Sequence, residues 1–223
     1  MAITLKKGQR ISLEKDSGTK LLQFCVGCNW GAITSPGVLG IGKKTVEVDL
    51  DLSCVVFDSS GKMCDHLYSP LYRKEFLNHY NLPQGKLDSV DGAMHHTGDD
   101  RSGDTDGDDG LDNEIITVDL QKVNPDVQQI FFFLNNCGKE DFSQIPYASI
   151  RMFEGKPDRV DKIFAAYNVS TDEKYKYMGM TAIVMGELYK HNDVWKFNAI
   201  GDAYPHPNLG VTIQHISKQY IRR

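Results

Sequence analysis

Hydrophobic and polar residues alternate with a period of two along much of this chain. Between Thr45 and Phe57, Val46, Val48, Leu50, Leu52, Cys54 and Val56 fall on one side of an extended backbone. Glu47, Asp49, Asp51 and Ser53 fall on the other, because successive side chains of a strand leave opposite faces. An apolar face opposite an acidic one predicts a strand that covers a core on one side and meets water on the other. The same reading predicts strands over 3–5, 10–13, 21–28, 115–120, 128–135, 147–153, 161–168, 180–189 and 194–200. Gln129–Leu134 and Thr181–Met185 are nearly continuous apolar runs, the pattern of strands buried on both faces. Asp58-Ser-Ser-Gly61 and His191-Asn-Asp193 read as hairpin turns, since Asn, Asp and Gly tolerate the backbone angles that tight turns need.

Helical signals are few. Ser69-Pro70 would cap and start a short helix running to about Tyr80. Leu209, Ile213, Ile216 and Tyr220 recur at three- and four-residue spacing, which predicts an amphipathic C-terminal helix. Many short strands separated by turns predict a mainly all-β fold. The expected form is a two-sheet β-sandwich with a few short helices, a single domain over residues 1–223.

Composition adds little to that picture except in three respects. At 40% hydrophobic and 25% charged residues, the chain has the make-up of an ordinary globular protein. Its first residues lack a signal-peptide core, and no stretch reaches the roughly 20 apolar residues of a membrane helix, so a cytoplasmic location is expected. The cysteines number five: Cys25, Cys28, Cys54, Cys64 and Cys137. An odd count is a poor disulfide framework. Cys25-Val-Gly-Cys28 has the spacing of half a zinc site or a redox pair. It ends a strand-like run rather than opening a helix, and no second ligand pair accompanies it, so two reduced cysteines in or near the core are expected.

Charge is the third. Residues 99–114 contain Asp99, Asp100, Asp104, Asp106, Asp108, Asp109, Asp112 and Glu114 against Arg101 alone, a window of −7 in a chain of net charge −5, so that the other residues sum to +2. Such a loop attracts neither nucleic acid nor an anionic membrane without a bridging cation. Two like charges ~6 Å apart at an effective dielectric of ~20 repel by roughly 2.8 kcal/mol. A hard divalent cation reverses the sign of that interaction. Calcium takes six to eight oxygens at about 2.3–2.6 Å, and Gly98, Gly103, Gly107 and Gly110 let the backbone wrap closely enough to offer carbonyls as well. Oxygen-only donors disfavour zinc or copper, and magnesium keeps its waters. The loop is no EF-hand. Starting at Asp104, that motif would need Gly and Glu where Asp109 and Ile115 stand; starting at Asp106, it would need Glu at Thr117. A toxin-type nonapeptide would have to recur. The alternative is a solvated acidic loop without metal. Asp49 and Asp51, two apart on one strand, would leave the same face roughly 6.7 Å apart and serve one ion or two neighbouring ones.

Three segments resemble the TerD family of tellurium-resistance and calcium-binding stress proteins. They are Val48-Asp-Leu-Asp-Leu-Ser53, His96-Thr-Gly-Asp-Asp-Arg-Ser-Gly-Asp-Thr-Asp-Gly-Asp-Asp109 and Gly186 through Gly201, with Leu5-Lys-Lys-Gly-Gln9 and Ile11-Ser-Leu13 similar too. The resemblance implies a β-sandwich holding one or two Ca2+ in acidic loops at one end, with Asp49, Asp51, Asp99, Asp104, Asp106, Asp108 and Asp109 as ligands. Two departures stand out. Trp30 is followed by Gly31, where the family places an acidic residue. Gly110-Leu-Asp-Asn delays the closing acid to Glu114, so Asp112, Asn113 or Glu114 would substitute. Residues 70–86 look like an insertion.

A two-metal hydrolase would draw on His95 and His96, but adjacent residues of an extended chain face opposite ways, and no nucleophile elbow or phosphate loop is present. A calcium-dependent membrane or protein adaptor of C2 type would want apolar or basic residues beside the loop, where only Leu111 and Arg101 occur. The expectation is a non-enzymatic, calcium-binding stress-response module that works with protein partners through metal-gated contacts. Tellurite resistance is implied by the resemblance alone.

Overall fold

The computed structural model describes residues 3–4, 8–13, 18–36, 42–168 and 174–221. Two six-stranded sheets face each other. The first runs in the order β1 (Ile3–Thr4), β12 (Arg159–Asn168), β11 (Ala148–Lys156), β3 (Gln23–Trp30), β9 (Glu114–Asp119) and β8 (Met94–His96). The second runs β2 (Arg10–Ser12), β14 (Val194–Tyr204), β13 (Ala182–His191), β10 (Val127–Asn136), β6 (Leu50–Asp58) and β7 (Met63–Leu67). A separate hairpin joins β4 (Ile33–Pro36) to β5 (Lys43–Val46). Pairing is antiparallel apart from β1, which runs parallel to β12. The two-sheet, mainly β architecture is the predicted one. Residue 5 of the predicted first strand lies outside the described residues.

Alternation along β3 shows how the core is built. Val26, Cys28 and Trp30 point between the sheets and join Leu50, Leu52, Cys54 and Val56 of β6, while Cys25 packs outward on Ile115 and Phe153. Cys25 and Cys28 are free and buried, as expected, and burial pushes the Cys25 thiol up to about 11. The β13–β14 turn works as its residues predict: Asn192 and Asp193 adopt φ of 52° and 58°. In the β6–β7 turn, Asp58 Oδ1 accepts from the amides of Ser60 (2.9 Å) and Lys62 (3.1 Å).

A third layer lies on the outer face of the second sheet and corrects two expectations. There α1 (Lys74–His79) and α2 (Leu209–Gln219) place Leu77, Leu209, Ile213 and Ile216 over Val55, Phe57, Phe131, Phe133 and Val184. Strand β6 is therefore covered on both faces, and Asp51 and Ser53, expected to be wet, are 5% and 0% exposed. The strand over 45–57 is also interrupted, since residues 47–49 lie between β5 and β6, although Val48, Leu50, Leu52, Cys54 and Val56 share the core as predicted. The helix predicted from Ser69 begins only at Lys74, after an extended Arg73 (ψ 140°). The C-terminal helix agrees with its pattern. Asn208 caps it by accepting from the Val211 amide at 3.1 Å, and Gly210 gives the Tyr80 ring room that a Cβ, 2.2 Å from it, would take. Among the described residues, no helix is long and apolar enough to cross a membrane.

His206 lies in this third layer. It is buried, stacked on Tyr204 (4.8 Å between centroids, 4° between planes) and hydrogen-bonded through Nδ1 to Thr212 Oγ1 at 3.1 Å. Burial, helped by nearby His215, pushes its pKa down to about 4. A histidine held neutral by the fold contributes stability above its unfolded pKa of ~6.5 and loses it as pH falls from there through the folded value. The melting temperature should therefore fall between pH 6.5 and pH 4. His206→Gln should flatten part of that slope in thermal melts followed by circular dichroism.

Candidate metal centre

The acidic loop between β8 and β9 is held down by hydrogen bonds that start from its ends. Glu114 is 1% exposed. Its Oε2 accepts from the Leu52 amide (2.7 Å) and its Oε1 from the Asp100 amide (2.9 Å), with His96 Nε2 3.5 Å away. Further in, the Asp104 amide donates to Trp30 O (3.0 Å), the Ala32 amide to Asp104 O (2.9 Å) and the Val48 amide to Ser102 O (3.1 Å). Asn113 Oδ1 accepts from the Trp30 amide at 2.8 Å. The loop is thus tied to β3 and to the chain preceding β6. Two glycines permit the approach. Gly103 has φ 66° and lies where a Cβ would come within 2.5 Å of the Trp30 ring. A Cβ on Gly27 would sit 2.2 Å from Asp112 Oδ2. Asp112 is clamped there by Arg151 Nε, 2.9 Å from each carboxylate oxygen. Burial still pushes the Asp112 carboxyl up to about 6.

This scaffold gathers carboxylates into two groups. In the first, Asp49, Asp51 and Asp99 each bring one oxygen within 4.8 Å of the others. Asp51 also accepts hydrogen bonds from Tyr72 Oη and from Cys137 Sγ (2.9 Å) through Oδ2, and Arg101 Nε stands 3.7 Å from Asp49 Oδ2. Burial, reinforced by the adjoining Asp99, pushes Asp51 well above the usual carboxylate range. Asp49 Oδ1 is buried and has no hydrogen-bond partner among the described residues. In the second group, Asp104, Asp108 and Asp109 likewise each bring one oxygen within 4.8 Å of the others. Asp104 accepts from Tyr147 Oη (2.7 Å) and Asn113 Nδ2 (3.0 Å), and Asp108 from Asn29 Nδ2 (2.9 Å).

The donors in both groups are carboxylate oxygens, which suit a hard cation. The Cys137 thiol is engaged with Asp51 rather than free to ligate a soft one. Of the residues predicted from sequence, Asp49, Asp51, Asp99, Asp104, Asp108 and Asp109 are brought together. Asp106 is exposed and belongs to neither group. Glu114 has both oxygens turned inward onto backbone amides, so its position is a structural one. His95 and His96 diverge as expected: His95 pairs at the surface with Asp88, and His96 is sealed against Leu52 O.

Tyr72, Cys137, Tyr147 and Asn29 were not foreseen, because each reaches the groups from a distant part of the chain. Only Tyr72 carried a signal, by lying in the stretch that looked inserted. Gly31 is also explained: a Cβ there would lie 2.5 Å from the Tyr147 ring, so Tyr147 takes the space an acidic side chain after Trp30 would need.

The profile of the TerD domain matches residues 1–215. This chain belongs to the TerD family. It is 31% identical over 208 residues to the tellurium resistance protein TerD of Serratia marcescens, covering 92% of each chain. It is 32% identical over 211 residues to the stress response protein SCP2 of Bacillus subtilis (strain 168), covering 91% of this chain and 92% of that one. The crystal structure of a homologue of telluride resistance protein (TerD) from Streptomyces coelicolor A3(2) superposes with a TM-score of 0.54 at 14% identity, over 82% of this chain and 90% of that one. That likeness extends to the fold. The tellurium-resistance and stress-response family is thereby established for this TerD-family chain.

Removing the Glu114 carboxylate would leave the buried Leu52 and Asp100 amides unpaired, and each orphaned buried donor costs about 1–3 kcal/mol. Glu114→Ala should therefore lose about 3 kcal/mol, roughly 6–12 °C in melting temperature for a chain of this size. Glu114→Gln, which keeps one acceptor, should lose less. Gly27→Ala should displace Asp112 and loosen the loop, seen as faster amide exchange at residues 110–113.

Proposed function

We propose that this TerD-family chain is a non-enzymatic, cytoplasmic calcium-binding stress protein. In this reading one or two Ca2+ ions neutralise the acidic end of the sandwich and gate its contacts with protein partners. The observation that carries the reading is the first carboxylate group. Asp49, Asp51 and Asp99 converge there with a buried Asp49 oxygen that no donor among the described residues satisfies. Carboxylates placed this close in a partly dry site are stable with a proton or a cation among them. At neutral pH and available calcium, the cation is the better occupant.

Asp49, Asp51 and Asp99 would hold one ion, and Asp104, Asp108 and Asp109 a second. When bound, calcium supplies positive charge and fixed coordination rather than chemistry on a substrate. Tyr72 and Cys137 orient Asp51, Tyr147 and Asn113 orient Asp104, and Arg101 moderates the charge of Asp49. The first group joins donors from β6 and the strand-linking segment before it to Asp99 of the loop anchored on the first sheet, so occupancy would stiffen this end of the molecule. Its partners would read the difference between a repelling, acidic end and a neutralised one.

Calorimetric titration tests this directly. Calcium should bind at least tenfold more tightly than magnesium. Asp49→Asn/Asp99→Asn and Asp104→Asn/Asp108→Asn should each remove or weaken one binding event by about tenfold or more, while Asp106→Asn should change little. At a hundredfold excess over Kd, calcium should add about 2.7 kcal/mol of stability, or roughly 5–11 °C in melting temperature. A wild type that takes up no calcium, or binds magnesium equally well, would falsify the reading. Partner gating requires that proteins captured with calcium be lost in chelator and on the Asp49→Asn/Asp99→Asn variant.

A further inference from the structure

The second carboxylate group has an oxygen beside it that no hydrogen bond accounts for. Asn29 is on β3 between Cys28 and Trp30, both buried in the main core, and is itself only 4% exposed. Its backbone is fixed on both sides: Ser149 of β11 is its ladder partner, and Cys28 O accepts from the Asn113 amide. The side chain points out of the core toward the loop, where Nδ2 donates to Asp108 Oδ1 at 2.9 Å. The other end of the same amide, Oδ1, is buried without a partner among the described residues. Folded proteins rarely leave a buried amide oxygen unpaired.

We infer that Asn29 is a neutral ligand of the cation held by Asp104, Asp108 and Asp109. This rests on the calcium reading above and extends it to a residue outside the acidic loop. The two ends of a side-chain amide are nearly isosteric, and a half-turn about the terminal torsion exchanges them. In the arrangement described, the nitrogen faces Asp108 and the oxygen is stranded. After the half-turn, Oδ1 faces Asp108 instead, with the two oxygens about as far apart as neighbours in a calcium shell whose ligands sit at about 2.3–2.6 Å. Two oxygens at that separation repel unless a cation lies between them, so the rotation is coupled to loading. The amide adds a ligand without adding charge. Because affinity follows ligand charge, the group would bind calcium reversibly rather than permanently.

The inference separates two roles for Asn29, hydrogen-bond donor to Asp108 and oxygen ligand, and substitution by aspartate divides them. Asn29→Asp cannot donate to Asp108, so in chelator it should melt below the wild type. It supplies a charged oxygen, so its calcium affinity at this group should rise by about tenfold. Asn29→Ala should lower that affinity by about tenfold, and neither change should alter the binding event that Asp49→Asn/Asp99→Asn removes. In the wild type, the side-chain amide resonances of Asn29 should shift on calcium addition as its N–H groups leave Asp108, a reading that does not depend on any variant folding. If Asn29→Asp weakens calcium binding as much as Asn29→Ala, or the Asn29 amide resonances do not move, Asn29 is a hydrogen-bond donor only and the inference is overturned. A wild type that binds no calcium would overturn it together with the calcium reading, whereas calcium binding unaffected by both Asn29 variants overturns this inference alone.

Discussion

Mutual repulsion among carboxylates governs this molecule, and the surrounding backbone is arranged to hold them together against it. Left to itself, the segment between β8 and β9 would splay into water. It is prevented by buried contacts: the amides of Trp30, Ala32 and Val48 paired with loop atoms, Gly103 seated on the Trp30 ring, and the ends closed by Glu114 and the Asp112–Arg151 pair. Trp30 is central because three of its atoms are engaged at once. Its amide meets Asn113, its carbonyl meets Asp104, and its indole Nε1 donates to Val48 O at 2.8 Å. The core residue that fixes β3 thus also fixes the acidic loop, and sandwich packing is transmitted directly to the spacing of the charges.

The two carboxylate groups are unlike in environment. The first is partly dry, with Asp51 buried and ringed by Tyr72 and Cys137. The second is at the surface, with Asp108 and Asp109 exposed. Desolvation strengthens the attraction of a charged group for an ion and raises the cost of leaving it empty. The inner group is therefore the more sensitive to protons, and the outer one to salt screening.

How much of this could be read from the residues follows from range. The strands were legible because period-two alternation is local, and the runs at 129–134 and 181–185 announced strands covered on both faces. The six grouped aspartates were legible because they crowd into two short stretches. The burial of Asp51 was missed because Tyr72 and Cys137, 21 and 86 positions later, close over the face that alternation assigns to water. The inward position of Glu114 was out of reach for a similar reason. A closing acid in a calcium loop and a buried acid that receives two amides have the same letter and spacing, and only the approach of β6 distinguishes them. Asn29, Tyr147 and Cys137 left no trace in the pattern, since each meets the loop through pairings that a single strand does not encode.

The C-terminal helix has a practical implication for anyone dissecting the protein. The TerD profile ends at residue 215, but the folding unit does not. Ile216 is wholly buried, and Tyr220 packs on Phe131 while its hydroxyl meets Asp202 and Tyr204. A clone trimmed to the profile boundary would uncover the phenylalanine-rich outer face of β10 and present it to solvent as a sticky surface. Such a fragment would be expected to precipitate for reasons unrelated to calcium.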